Sequence, residues 1–424
     1  MSLPRVAVIG AGWAGLAAAV ELSGQAELTL YEAGREPGGR ARRVGSTDGK
    51  LDNGQHILIG AYAECLRLMR KVGVDADGAL LRQPLNWVRA GGICLRCPDW
   101  PAPWHVLGGL LAASGISIGD KWRMLAALQS LKLRGWRLPA DMPVADWLRQ
   151  TRQTPRMIRE FWRPLILSAL NTPPEAASMR TLAAVLRDSM GGGREASDLL
   201  LPATDLSSLF PLPALARLQA QGARWRGGHR VERLQALDRG VTVDGELFDA
   251  VVVAVAPYHL SALLPMLADR VKAFSYWPIY TVYLRYDADI ALPDVMIGRQ
   301  GGTADWLFDR QRLTGERGLI AAVISAPDEY VAALGRDDVI AAVKRDAEAI
   351  QPDLAASRLL SSQLIVEKRA TFAATVDLAR PDCRAAGAGI YLAGDWTHPD
   401  YPATLEGAAR SGVTAARALL TDLS

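Results

Sequence analysis

Cysteine is scarce in this chain of 424 residues: four, at positions 65, 94, 97 and 383. So few cannot make a disulfide framework at this length, and a reducing cytoplasm is the expected compartment. Cys94 and Cys97 have the spacing of half a zinc site, but no second pair completes it, so no metal is expected. Long apolar runs are missing as well: none approaches the roughly eighteen residues of a spanning helix. Net charge is small. Lys and Arg number 48 against 45 Asp and Glu, a formal +3, which argues against nucleic acid as a partner. No signal peptide is expected, because Met1-Ser2-Leu3-Pro4-Arg5 leads straight into an apolar strand. What remains is a chain 50% hydrophobic and 22% charged, with material for a large core. Its length exceeds what one core usually supports, so two domains are expected.

Glycine, by contrast, is placed with purpose. Val6-Ala7-Val8-Ile9 runs directly into Gly10-Ala11-Gly12-Trp13-Ala14-Gly15, then into the helical Leu16–Leu22. A second strand, Leu28-Thr29-Leu30-Tyr31, ends on Glu32. Strand, glycine turn, helix, strand and acid in that order form a dinucleotide-binding pattern. Gly10 permits the turn, Gly12 lets backbone approach a pyrophosphate, and Gly15 packs helix on strand. The helix N-terminus offers unpaired N–H groups and a positive dipole end to that pyrophosphate. Glu32 is placed to accept hydrogen bonds from ribose hydroxyls.

Glu32 is followed by Ala33-Gly34-Arg35-Glu36-Pro37-Gly38-Gly39-Arg40, where Gly39 keeps backbone near the phosphates and Arg40 adds a permanent cation to neutralise them. At the far end, Gly389-Ile390-Tyr391-Leu392-Ala393-Gly394-Asp395 is a buried strand ending in an acid, and Pro402-Ala403-Thr404-Leu405-Glu406-Gly407 opens a last helix reaching about Leu420. With these motifs the chain resembles the flavoprotein superfamily of amine oxidases and phytoene desaturases. The stretch Leu51-Asp52-Asn53-Gly54-Gln55-His56-Ile57-Leu58-Ile59-Gly60-Ala61-Tyr62 is similar to that of plant-type desaturases, and closer to the bacterial hydroxysqualene dehydroxylases. Ser168-Ala-Leu-Asn171-Thr172-Pro173-Pro174 and Arg187-Asp188 support the same resemblance.

That resemblance implies FAD, with Asp395 on the ribityl hydroxyls, Val231 over the adenine, Asn53 and Gly54 on the segment passing the flavin, and Thr404 and Leu405 opening a helix toward the pyrimidine. Cys383 lies in the wrong place for a covalent tether, so FAD is expected to be non-covalent. The implied fold class is α/β: a Rossmann-type FAD-binding domain from three chain segments (1–80, 206–257 and 386–424). An α+β substrate domain (81–205 and 258–385) completes it. Within the first domain, Val231–Leu234 and Val241–Val243 are expected as a ribbon around Asp238-Arg239-Gly240, and 249–257 as a buried strand.

The implied reaction is reductive removal of an allylic hydroxyl from hydroxysqualene, with a hydrophobic isoprenoid substrate and an electron donor the sequence does not name. A carotenoid desaturase or amine oxidase runs the flavin in the oxidative direction, and a prenyl-binding chaperone of the same architecture uses no flavin. Proton donation to the leaving oxygen needs an acid, and His56, Tyr62 and Tyr401 are the candidates. His56 has two readings: general acid, or a neutral imidazole that orients its neighbours. Gly115-Ile-Ser117-Ile-Gly119 matches a hydrolase elbow but lacks the preceding buried strand. Residues 100–137 combine tryptophans, an apolar run and Lys121, Arg123, Lys132, Arg134 and Arg137. They are either a buried helix pair or a segment inserted at the headgroup level of an anionic leaflet. A substrate that enters from lipid favours a peripheral contact on the inner face of the membrane.

Overall fold

The computed structural model describes residues 2–46, 49–289, 291–397 and 401–423. Five parallel strands form one sheet, in the order Arg224–Gly227, Glu27–Glu32, Arg5–Ile9, Ala250–Val253 and Ile390–Leu392. The strands Arg5–Ile9, Ala250–Val253 and Ile390–Leu392 are near-continuous apolar runs because both their faces are covered, with the helices Trp13–Leu22 and Leu405–Leu423 packed together on one of them, whereas the edge strand Arg224–Gly227 is polar and largely exposed. The chain leaves the central Arg5–Ile9 strand for neighbours on one side, then returns to build the other. This places a topological switch point at its carboxyl end, where ligands bind in open α/β sheets.

A second sheet of seven strands runs Leu359–Phe372, Tyr276–Tyr286, Leu319–Ser325, Trp306–Asp309, Met296–Arg299, Asn86–Ala90 and Cys94–Arg96. It is antiparallel except between Met296–Arg299 and Asn86–Ala90. Helices from 104–190 join it in the larger apolar cluster, which includes Trp87, Trp147, Trp162 and Trp306 and extends to Ile9, Val251, Val253 and Leu392 of the parallel sheet.

Two expected strands are shorter than the sequence implies. The ribbon begins at Leu234, not Val231, because the Asp244 carboxylate captures the Glu232 and Arg233 N–H groups at 3.0 and 2.8 Å, taking the amides a ladder would use. The strand expected over 249–257 ends at Val253, since Ala254 folds over Gly10 and Pro257 starts a new helix, Pro257–Leu263. Ser117 caps the helix Ile118–Leu133, accepting from Asp120 N–H at 3.1 Å and donating to its carboxylate at 2.7 Å. That is a helix cap, with no buried strand before it.

The segment 100–137 forms the helices Trp104–Ala112 and Ile118–Leu133. One face of the pair is in solvent: Trp104 is 60% exposed, Trp122 67% and Ile118 75%, with Trp100, Leu111 and Leu133 beside them. Leu110 is fully buried instead. The expectation of a buried pair therefore fails for this face, and no helix among the described residues is long and apolar enough to cross a membrane.

Candidate active site

A cavity of about 1230 Å³ opens at the switch point and runs between the two sheets. Gly10 sits at φ +100°, and a Cβ there would lie 2.6 Å from the Ala254 carbonyl oxygen; a Cβ on Gly15 would lie 1.9 Å from that of Gly10. Gly12 differs from both. Its Cβ would meet nothing nearer than Gly39 Cα at 3.8 Å, and Gly12 and Gly39 both line the cavity. The helix that follows has no side-chain cap, so its first N–H groups are left for an anion. This is a cradle for a phosphate. Glu32 braces it, accepting from Ala11 N–H and Gly34 N–H at 2.8 Å each, and each oxygen keeps a lone pair for a ribose hydroxyl. Val231, His229 and Glu232 line the same end.

Arg40 has a partner that the sequence did not reveal. It donates to Asp395 at 2.7 Å and to the Ala370 carbonyl at 2.8 Å. The two distant motifs are thus pinned to each other, and Arg40 is not a free cation waiting for phosphate. Burial works against its charge, but Asp395, with Tyr258 and Glu367, outweighs this and raises its pKa. Asn53 donates to the Arg40 carbonyl at 3.1 Å and to the Glu367 carboxylate at 3.0 Å, tying the Asn53–His56 loop to the long strand Leu359–Phe372. Next to Asn53, Asp52 is buried against the buried Arg310, 3.3 Å away, and Arg310 also donates to Gln55 at 3.1 Å and Glu316 at 2.8 Å. Burial pushes the Asp52 carboxyl up to about 6 against the pull of Arg310. Gln55 lines the cavity, and its buried Nε2 has no partner among the described residues.

Of the three candidate acids, His56 and Tyr62 line the cavity and Tyr401 does not. Tyr401 is buried, its hydroxyl donates to Asp188, and Arg410 lies over its ring, so it belongs to the packing of the last helix. The Arg187-Asp188 motif therefore has a structural partner there. Tyr62 begins the helix Ala63–Lys71, and burial raises its pKa, so it stays a neutral phenol. His56 Nδ1 lies 3.1 Å from the Gly54 carbonyl, which can only accept. In the neutral ring Nδ1 therefore carries the hydrogen and Nε2 is an acceptor. Burial and the nearby Arg40 pull its pKa below the ordinary histidine value, against the Gly54 hydrogen bond. To donate a proton, His56 must first become imidazolium.

Thr404, Leu405, Gly394 and Asp395 also line the cavity. Thr404 caps the last helix, accepting from Gly407 N–H at 3.0 Å. Glu406, fully buried, accepts from Glu64 and Cys65 N–H at 3.1 and 2.9 Å and ties that helix to Ala63–Lys71. Cys383 is buried outside the cavity. Beyond these polar groups the lining turns apolar: Ile57, Leu167, Leu170, Ile279, Trp306, Phe308 and Val323. The residues present fit a flavin dinucleotide: an open glycine cradle, a ribose acid, a braced acidic end and an unpartnered amide.

A family model described as flavin containing amine oxidoreductase matches residues 13–420. Hydroxysqualene dehydroxylase of Rhodopseudomonas palustris is 32% identical over 98% of both chains. That of Zymomonas mobilis is 30% identical over 96% of this chain and 97% of its own. Among solved structures, cyclohexylamine oxidase from Brevibacterium oxydans superposes over 100% of both chains with a TM-score of 0.71 at 18% identity, a likeness of fold. The chain belongs to the flavin-containing amine oxidoreductases, within the hydroxysqualene dehydroxylase family.

Proposed function

We propose that this protein is an FAD-dependent enzyme that converts hydroxysqualene to squalene. The observation that carries the reading is one continuous cavity, in which a dinucleotide cradle continues into a chamber walled by aliphatic and aromatic side chains. The relatives that match along the whole chain are named for this substrate. In the reaction the allylic C–O bond breaks, a C–H bond forms, and the hydroxyl leaves as water after taking one proton. Reduced flavin supplies the hydride when bound, and an external electron donor must restore it.

The chain's own residues do the rest. Ile57, Leu167, Ile279 and Phe308 exclude water from the carbon that loses the hydroxyl, so that a developing allylic cation is not captured by solvent. His56 is the candidate proton donor in its imidazolium form, and Tyr62, a neutral phenol, the alternative hydrogen-bond donor to the leaving oxygen. Arg40 and Asp395 hold the two halves of the cofactor site together.

A C30 isoprenoid alcohol, almost wholly apolar, must come from lipid. The exposed face of Trp100, Trp104, Leu111, Ile118, Trp122 and Leu133, with exposed Lys132, Arg134 and Arg137 nearby, supports a peripheral contact with an anionic leaflet at the inner face of the membrane. The test is anaerobic incubation of photoreduced holoenzyme, and in parallel of oxidised holoenzyme, with hydroxysqualene, phytoene or an amine in separate vials, followed by product analysis. Squalene from the first vial alone is expected. Oxidised product from phytoene or amine with the oxidised enzyme, and none from hydroxysqualene, overturns the reading.

A further inference from the structure

The helix Arg163–Leu170 ends on Asn171, which adopts a left-handed backbone at φ 43°, ψ 38° and lines the cavity. Its backbone N–H is bonded to the Leu167 carbonyl at 2.8 Å. Asn is common at such a helix end for its backbone alone. The side chain, however, is fixed in a way that a helix cap does not require. Its Nδ2 donates to Thr371 Oγ1 at 2.9 Å and faces the Trp277 and Pro278 carbonyls at 3.4 Å each. Those carbonyls lie where the strand Tyr276–Tyr286 slips register around Pro278, which has no N–H to give the ladder. Carbonyls only accept, so the amide cannot be turned the other way, and Oδ1 points away from them. That Oδ1 is buried and has no partner in the described structure. The amide is therefore held at one end, with its acceptor unpaired in the cavity wall beside Leu167, Leu170 and Ile279, where a ligand reaches it by displacing the side chains that cover it.

We propose that Asn171 determines specificity for an alcohol: its Oδ1 accepts the hydrogen of the substrate's hydroxyl and orients the C–O bond in an otherwise apolar chamber. This rests on the dehydroxylase reading and deepens it. A hydrocarbon substrate has no donor and leaves the buried oxygen unpaired, so an alcohol is favoured over its own deoxygenated product. A site built to bond a hydroxyl rejects the analogue that lacks it.

The test uses oxidised holoenzyme in detergent micelles, titrated with hydroxysqualene, its O-methyl ether or squalene, with flavin absorbance as the readout. Wild type should bind the alcohol about tenfold or more tightly than squalene, and the ether, which has the oxygen but no hydrogen to donate, no better than squalene. Asn171→Gly keeps the left-handed backbone and should abolish that preference while leaving squalene affinity and flavin content unchanged. An ether that binds like the alcohol overturns the inference without any variant. So does Asn171→Gly that retains the preference, or one that changes the flavin spectrum before ligand is added and weakens squalene and alcohol alike; that last result assigns Oδ1 to a flavin N–H. If wild type converts hydroxysqualene in each of these cases, only the role of Asn171 falls. If wild type does not convert it, the dehydroxylase reading falls, and this inference with it.

Discussion

At one end of the cavity the lining is backbone and charge: Gly12, Gly39, Glu32 and the Arg40–Asp395 pair. At the other it is Leu167, Leu170, Trp306, Phe308 and Val323, with isolated amides among them. The first end depends on close approach and paired charge, so single residues there are irreplaceable in kind. The second depends on volume and on keeping water out, so most of its residues can be exchanged for others of similar size. Specific recognition there falls to the few polar atoms left without partners.

The largest expected effects lie at the charged end. Arg40→Ala or Asp395→Ala should each give protein that is folded by circular dichroism but nearly colourless, judged by absorbance at 450 nm relative to 280 nm. Each removes one half of the pair that joins the two motifs and leaves the other charge uncompensated. Full flavin occupancy in both variants would break the contrast drawn above. Arg310→Met should act on stability rather than on flavin directly, because it strands the buried Asp52 carboxyl and removes a partner of Glu316. A loss of about 3–5 kcal/mol in denaturant unfolding is expected for breaking such a buried pair.

The charged end was legible in the sequence because its requirements are local and periodic: glycines at fixed spacing after an apolar strand, an acid after the next strand, Gly-Asp before the last helix. What those residues do to one another was not legible. Arg40 and Asp395 are far apart in the chain, and nothing in either motif announces that one neutralises the other. Tyr401 was a candidate donor because it stands next to the Pro402–Gly407 motif, yet it lies outside the cavity lining and bonds Asp188. The apolar end was nearly silent, since a lining leucine and a core leucine look alike in sequence. Asn171 was visible only as part of a family motif, because its meaning lies in a bulge at Pro278 more than a hundred residues away. The exposed face of 104–133 was half legible: tryptophans and basic residues marked it, but only the structure tells Leu111, exposed, from Leu110, buried.

His56 lines the cavity within electrostatic reach of Arg40, and pH dependence sharpens its role. Its pKa is lowered by burial, so the imidazolium fraction grows as pH falls below the ordinary histidine range. If His56 is the acid, turnover rises as pH falls toward that lowered pKa, and His56→Gln loses about a hundredfold in rate together with the slope. The same shift makes the fold less stable as pH falls, because the unfolded chain takes up the proton first. A His56→Gln variant with a wild-type rate and slope makes His56 an orienting residue and turns attention to Tyr62. The smallest effect belongs to the surface. Trp104→Ser with Trp122→Ser should weaken co-sedimentation with anionic vesicles several-fold without changing the melting temperature, whereas Leu110→Asp should lower the melting temperature. Wild type that stays in the supernatant contradicts the membrane contact.

The most direct measurement joins both ends of the cavity in one event. Reduced holoenzyme is mixed anaerobically with hydroxysqualene in a stopped-flow cell, flavin absorbance at 450 nm is followed, and the quenched mixture is assayed for squalene. The absorbance should return in the absence of oxygen, with one squalene formed for each flavin reoxidised. Flavin that remains reduced while hydroxysqualene is recovered unchanged would contradict a reductive dehydroxylase.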